Sequence, residues 1–153
     1  MRGGGVALVA LCAALAGAAL GSACSQTQTM PAWQRDQPRK NEITALWTQI
    51  RDWRREAGMD VEPPAQLVLE ARRMSVSSVH NAKLCPNRPP PPACDDVCGL
   101  ADAICENAES ICALADELQP DDWSKDKCDS AKASCREAKQ RCCACDDGAE
   151  GSE

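Results

Sequence analysis

The sequence predicts an all-α protein built around a disulfide-stapled antiparallel helical hairpin. The hairpin covers about residues 94–118 and 122–143, and two amphipathic helices, about 42–57 and 65–82, precede it. Three observations carry this prediction. Cys98, Cys105 and Cys112 recur every seven residues, and so do Cys128, Cys135 and Cys142. Seven residues are nearly two helical turns, so each triplet lines one stripe of a helix and drifts by only about 20° per step. A turn signal, Gln119-Pro120-Asp121-Asp122, separates the triplets. When the stretch is folded back there, Cys98 meets Cys142, Cys105 meets Cys135 and Cys112 meets Cys128. Each pair of residue numbers adds to 240, the constant sum of an antiparallel pair in register.

The 153-residue chain contains no Phe or Tyr and only four Trp, which excludes a large aromatic core. Its 12 Cys are far above ordinary usage and point to an oxidising compartment or a thiolate metal site. The N-terminus favours the first. Arg2 supplies a positive charge, and residues 6–20 are an apolar run of 15 rich in Ala and Leu. That run is shorter than the roughly 20 residues of a membrane span. Gly21-Ser22-Ala23 then offer small residues before Cys24, so residues 1–23 read as a secretory signal peptide cleaved after Ala23.

The stretch Leu20-Gly21-Ser22-Ala23-Cys24 resembles the lipobox of bacterial lipoproteins, in which the first mature residue is a diacylated Cys. It departs from that pattern in placing Leu20 four residues before the Cys instead of three. Ordinary signal cleavage beside an unmodified Cys24 is the competing reading, and it cuts the same bond. Parity favours lipid. Cys12 leaves with the signal, so 11 Cys remain, and acylation of Cys24 leaves an even ten. The resemblance implies a palmitate-bearing protein of the cell envelope, facing the periplasm or exterior and held at the outer membrane in preference to the inner.

Residues 24–40 are polar, carry Pro31 and Pro38, show no periodicity and read as a flexible tether; Trp33 within them has no evident role. Asn41 is the N-cap candidate of the first helix. Ile43, Leu46, Trp47, Ile50, Trp53 and Ala57 follow at helical spacing, and Gly58 stands where a terminating glycine belongs. Arg51, Arg54 and Arg55 fall on its polar face. Pro63 and Pro64 open the second helix, which Leu67, Val68, Ala71, Met74, Ser78, Val79 and Ala82 continue. His80, the single histidine, has no acid or Ser pattern around it and reads as structural. Together residues 41–84 form an N-terminal helical pair. Residues 85–93 contain Cys85 and the run from Pro89 to Pro92, which is stiff and extended, so they read as a spacer. Residues 94–145 are the Cys-rich hairpin, and the acidic, Gly-containing residues 146–153 read as a disordered tail.

Within the hairpin, with the triplet Cys at heptad position a, position d is Ala101, Ala108 and Ala115 on one helix and Ala131 and Ala138 on the other. Such a seam permits close approach. An interaxial distance of about 10 Å less two Cα radii of about 2.3 Å leaves about 5.4 Å between facing Cα atoms. That lies inside the disulfide range of roughly 4.4–6.8 Å. Asp102, Glu109 and Asp116 lie opposite Lys139, Lys132 and Lys125, each pair adding to 241, which supports the same register. One turn beyond Cys98, Cys94 falls nearest Cys145, leaving Cys85 for Cys143; an exchange of roles between Cys143 and Cys145 stays open. Val97, Ile104, Ile111 and Leu118 form an apolar edge that the second hairpin helix cannot cover. The two N-terminal helices are its expected cover, and a protein partner is the alternative.

The motifs Cys94-Asp95-Asp96-Val97-Cys98, Asp102-Ala103-Ile104-Cys105-Glu106-Asn107-Ala108 and the run from Asp126 to Cys143 resemble a group of uncharacterised Cys-rich bacterial lipoproteins with a twin Cys-x6-Cys-x6-Cys hairpin. The resemblance spans about residues 95–145 and implies no activity. In architecture the hairpin is similar to the twin Cys-x9-Cys proteins, with a shorter spacing.

Charge separates the halves. Residues 24–92 hold ten Lys/Arg against seven Asp/Glu, and residues 93–153 hold six against 16. The basic half therefore suits the acidic hairpin or a membrane surface. A net negative chain without an aromatic-basic platform argues against nucleic acid. With no nucleophile–base pair, phosphate loop or paired-carboxylate site, the sequence points to a non-enzymatic, lipid-anchored structural or interaction module without a cofactor. The alternative is a periplasmic thiolate store for Cu(I) or Zn, since Cys stripes resemble those of copper storage proteins. A thiol-exchange enzyme using Cys142-Cys143-Ala144-Cys145 is a third reading, lacking the βαβ context of such enzymes.

Overall fold

Two helices of equal length, rich in Ala and Cys on facing stripes, form the centre of the molecule. In the computed structural model they are α4 (Asp95–Glu117) and α5 (Asp122–Ala144), preceded by α1 (Ala32–Glu56), α2 (Ala65–Ala71) and α3 (Val76–His80). The structure describes residues 30–83, 85, 94–118 and 120–145. The expected signal peptide, Cys24, residues 86–93 of the spacer and the acidic tail lie outside them.

Local chemistry sets the hairpin ends. Asp95 and Asp96 occupy the first turn of α4, where carboxylates oppose the positive end of the helix dipole. Asp121 caps α5: its carboxylate accepts from the Ser124 amide at 2.8 Å, while the Ser124 hydroxyl donates to the Asp121 carbonyl at 2.9 Å.

Helix α1 covers the apolar edge of α4. It runs antiparallel to α4 and parallel to α5. Arg39 and Lys40 reach Glu117 and Asp121 beside the hairpin turn, and Arg54 reaches Glu137 near the other end. Midway, the Asn107 side-chain amide donates to Gln49 Oε1 at 2.9 Å. Ile43, Trp47 and Ile50 join Ile104, Ile111 and Leu118 in one buried cluster; Val97, at the start of α4, is half-buried. Each fully buried aliphatic side chain contributes roughly 1.5–3 kcal/mol. The edge thus finds its cover within the chain.

One end of the first helix differs from expectation. Helix α1 begins at Ala32, not near residue 42, and passes through Pro38, so part of the expected tether is helical. Pro38 lacks the amide that would bond the Gln34 carbonyl, a loss confined to an exposed end. The Gln37 side chain bridges to Asn41 Oδ1 at 2.8 Å, so Asn41 is an interior helical residue and not the cap. At the other end Gly58 has φ 69°. The Met59 amide bonds the Arg54 carbonyl and the Gly58 amide bonds the Arg55 carbonyl, a Schellman stop.

The second expected helix is two. After α2 the chain turns through Arg72–Met74, and Ser75 starts α3 with its hydroxyl accepting from the Ser78 amide at 3.1 Å. A Ser able to cap competes with its own helical conformation. The break turns Val79 into the core, where it is 2 % exposed.

Candidate functional site

The cysteines are the chemically distinctive groups, and helix packing determines what they can do. The Ala101, Ala108, Ala115, Ala131 and Ala138 seam is fully buried. It brings facing Cα atoms to 4.8 Å at Cys98–Cys142, 4.6 Å at Cys105–Cys135 and 4.7 Å at Cys112–Cys128, and all three pairs are disulfides. These are the rungs that the constant sum of 240 predicts, at a closer approach than the 10 Å interaxial figure implied. Two further disulfides lock the open end, Cys94–Cys145 and Cys85–Cys143, with Cα separations of 6.0 and 5.4 Å. All ten cysteines from Cys85 to Cys145 are therefore paired with one another.

At that open end the Sγ atoms of Cys85, Cys142 and Cys143 lie within 4.8 Å of one another. They belong to two different disulfides, and as thiolates they would form a soft donor set of the kind that takes Cu(I) or Zn.

The lysines of α5 do not make the ladder of ion pairs expected with α4. Lys139 Nζ donates to the carbonyls of Val79, His80 and Ala82, at 3.1 Å for Val79 and 2.9 Å for Ala82. Burial lowers its pKa, with the charge of Asp102 acting in the opposite sense. Lys132 Nζ donates to the Met74 carbonyl at 3.0 Å and pairs with Asp129 at 2.8 Å. Glu109 pairs with His80 Nδ1 at 2.7 Å, and no ion pair joins Asp116 to Lys125 among the described residues. The lysines instead satisfy the carbonyls left open by the α2–α3 break and the end of α3, and so fasten a third layer to the hairpin. His80 sits in that layer as a structural partner of Glu109.

Arg54 was expected on the polar face of α1, but its side chain is fully buried. Its Nε donates to the Asp60 carbonyl and its Nη2 to Glu137, both at 2.8 Å. Helical spacing placed it next to Arg51 and Arg55, and nothing local distinguished it; its partner lies 83 residues away. Trp33 is 70 % exposed, whereas Trp47 lies beneath Lys127, whose Nζ is 5.0 Å from the ring centroid.

Among the described residues no helix is long and apolar enough to cross a membrane. Comparison with protein families, with curated proteins and with solved structures finds no match for this chain.

Proposed function

We propose that the chain is a secreted, lipid-anchored, non-enzymatic structural or protein-interaction module of a bacterial cell envelope, with Cys24 as its acylated first residue. The observation that carries this reading is the pairing of the ten cysteines from Cys85 to Cys145 with one another. Five disulfides belong to an oxidising compartment. They also leave Cys24 as the odd cysteine once Cys12 departs with the signal. Membrane attachment then comes from lipid and not from a spanning helix, and the stapled hairpin, overlaid by α1–α3, is the part displayed. Two signals usually make such anchoring stable, and the diacyl group supplies them.

Fractionation of cells carrying Cys24→Ser tests the anchor. The unsubstituted protein is expected in the membrane fraction with the mass of two or more acyl chains, and the substituted one in the soluble fraction. A substituted protein that stays with the membrane overturns the lipid anchor.

A second reading, a store for Cu(I) or Zn, is favoured by the approach of Cys85, Cys142 and Cys143. It requires those residues as thiols. Intact mass spectrometry of protein purified without reductant separates the two readings: a mass ten hydrogens below the fully reduced chain supports the module, while ten free thiols with retained metal support the store.

A further inference from the structure

Cys142 and Cys143 are adjacent in α5 yet serve different disulfides, Cys98–Cys142 and Cys85–Cys143. Consecutive helical residues diverge by about 100° around the axis, which ordinarily carries two such bonds apart. Here the Sγ atoms of Cys85, Cys142 and Cys143 all fall within 4.8 Å of one another. Cys143 is partly exposed, whereas Cys85, Cys98 and Cys142 are buried.

From this geometry we infer that the two disulfides form one exchange-coupled site, at which a low-molecular-weight thiol attacks Cys143 and the opening is relayed to Cys98. The attacking thiol first loses its proton to solvent, because the thiolate is the nucleophile. It bonds to Cys143 Sγ as the Cys85–Cys143 bond breaks, and the Cys85 thiolate leaves. That sulfur is already beside Cys142 Sγ. It attacks there, the Cys85–Cys142 bond forms, the Cys98–Cys142 bond breaks, and Cys98 departs as a thiolate that takes up a proton from solvent. Two disulfides and one thiol enter the sequence, and two disulfides and one thiol leave it. No electrons are gained or lost overall, so the thiol is the only co-reactant.

The surrounding bonds keep the exchange local. Cys94–Cys145 closes the hairpin on one side of the exchanged rung, and Cys105–Cys135 closes it two turns further in. The hairpin stays stapled while the tie from Cys85 moves from one α5 residue to the next. This inference does not depend on the lipid anchor.

The test exposes the oxidised protein to reduced glutathione, traps free thiols with N-ethylmaleimide, and maps the digested protein by mass spectrometry without reduction. The expected result is glutathione on Cys143, maleimide on Cys98 and a new Cys85–Cys142 link, with Cys105–Cys135 and Cys112–Cys128 intact. The variant Cys98→Ala/Cys142→Ala, which retains four disulfides, is expected to shift the maleimide label back to Cys85. Label on Cys85 beside an intact Cys98–Cys142 bond in the unsubstituted protein would overturn the relay. So would five unmodified disulfides after glutathione, or maleimide on a residue other than Cys85 in the variant.

Discussion

Arg54 of α1 meets Glu137 of α5 inside the protein: Nη2 lies 2.8 Å from Oε2, with the arginine side chain wholly buried and the carboxylate 22 % exposed. Nη1 of the same guanidinium is buried without a hydrogen-bond partner among the described residues. The pair is therefore asymmetric. Glu137 can turn towards water if it loses Arg54, whereas Arg54 has nowhere to go.

Removing the carboxylate should accordingly cost more than removing the cation. Stranding a buried charge costs about 3–5 kcal/mol, while replacing a buried ion pair by a fitting apolar group is often near neutral. Glu137→Ala is expected to destabilise by about 3 kcal/mol, and Arg54→Met, which fills the same space without charge, by clearly less. Thermal unfolding with disulfides intact measures both. A larger loss for Arg54→Met would show that the guanidinium is more than a buried charge needing a partner.

Asp121 links the hairpin turn to α1 and makes that junction sensitive to acid. Its carboxyl is held below the usual range, first by the Lys40 ammonium at 2.6 Å and then by the Ser124 amide. A folded-state pKa below the unfolded value means that the carboxylate stabilises the protein above about pH 4 and loses that contribution as pH falls through the folded value. Asp121→Ala is expected to cost about 1 kcal/mol at pH 7, the usual worth of a helix cap. The gap between variant and unsubstituted protein should narrow progressively as pH is lowered below about 4. A gap that persists undiminished there would place the stabilisation elsewhere.

The packing of α1 on α4 can be separated from the hairpin itself, because α4 and α5 are covalently joined. Ile104 is fully buried beneath α1. Ile104→Ala is expected to cost about 2–5 kcal/mol. Ile104→Asp, which places a carboxylate in the same site, should release α1 altogether. Trp47, only 5 % exposed, would then report the release as a red shift and gain in quencher access. Unaltered emission in Ile104→Asp would mean that Trp47 is buried by something other than this contact.

The parts of this fold legible in the sequence share one property: a strict period fixes them twice over. The Cys triplets and the Ala positions between them gave the register, the three rungs and the apolar edge of α4. Where a position faces two neighbours, the pattern was ambiguous. Lys132 and Lys139 lie opposite acids of α4 in number, yet their ammonium groups bond carbonyls of Met74 and of Val79, His80 and Ala82. A backbone carbonyl leaves no mark in a sequence, so only the tertiary fold could reveal that choice. The break before Ser75 was hidden because apolar spacing of three and four continues across it. Pro38 misled in the opposite sense: it removes one hydrogen bond but does not end a helix that Arg39 and Lys40 fasten to the hairpin. Arg54 shows the same limit, since its burial follows from a glutamate on another helix.

The rungs themselves should dominate stability, because the seam they cross contains little else. At heptad positions a and d of the facing helices the side chains are Ala and Cys, which bury far less apolar area than the Leu of an ordinary seam. The innermost rung, Cys112–Cys128, spans a sequence separation of 16, and chain entropy assigns a loop of that size about 3 kcal/mol. Cys112→Ala/Cys128→Ala is therefore expected to lower stability by about that amount, with α4 and α5 still held by the bonds beyond it. Complete reduction removes all five constraints and should abolish most of the helical circular dichroism at 37 °C. The cluster that joins Ile43, Trp47 and Ile50 to α4 also contains Ala131, Cys135 and Ala138 of α5, so it is expected to weaken when the two helices separate. A fully reduced, alkylated protein that keeps both its helical signal and its melting temperature would show that the apolar contacts under α1, and not the rungs, hold the hairpin closed.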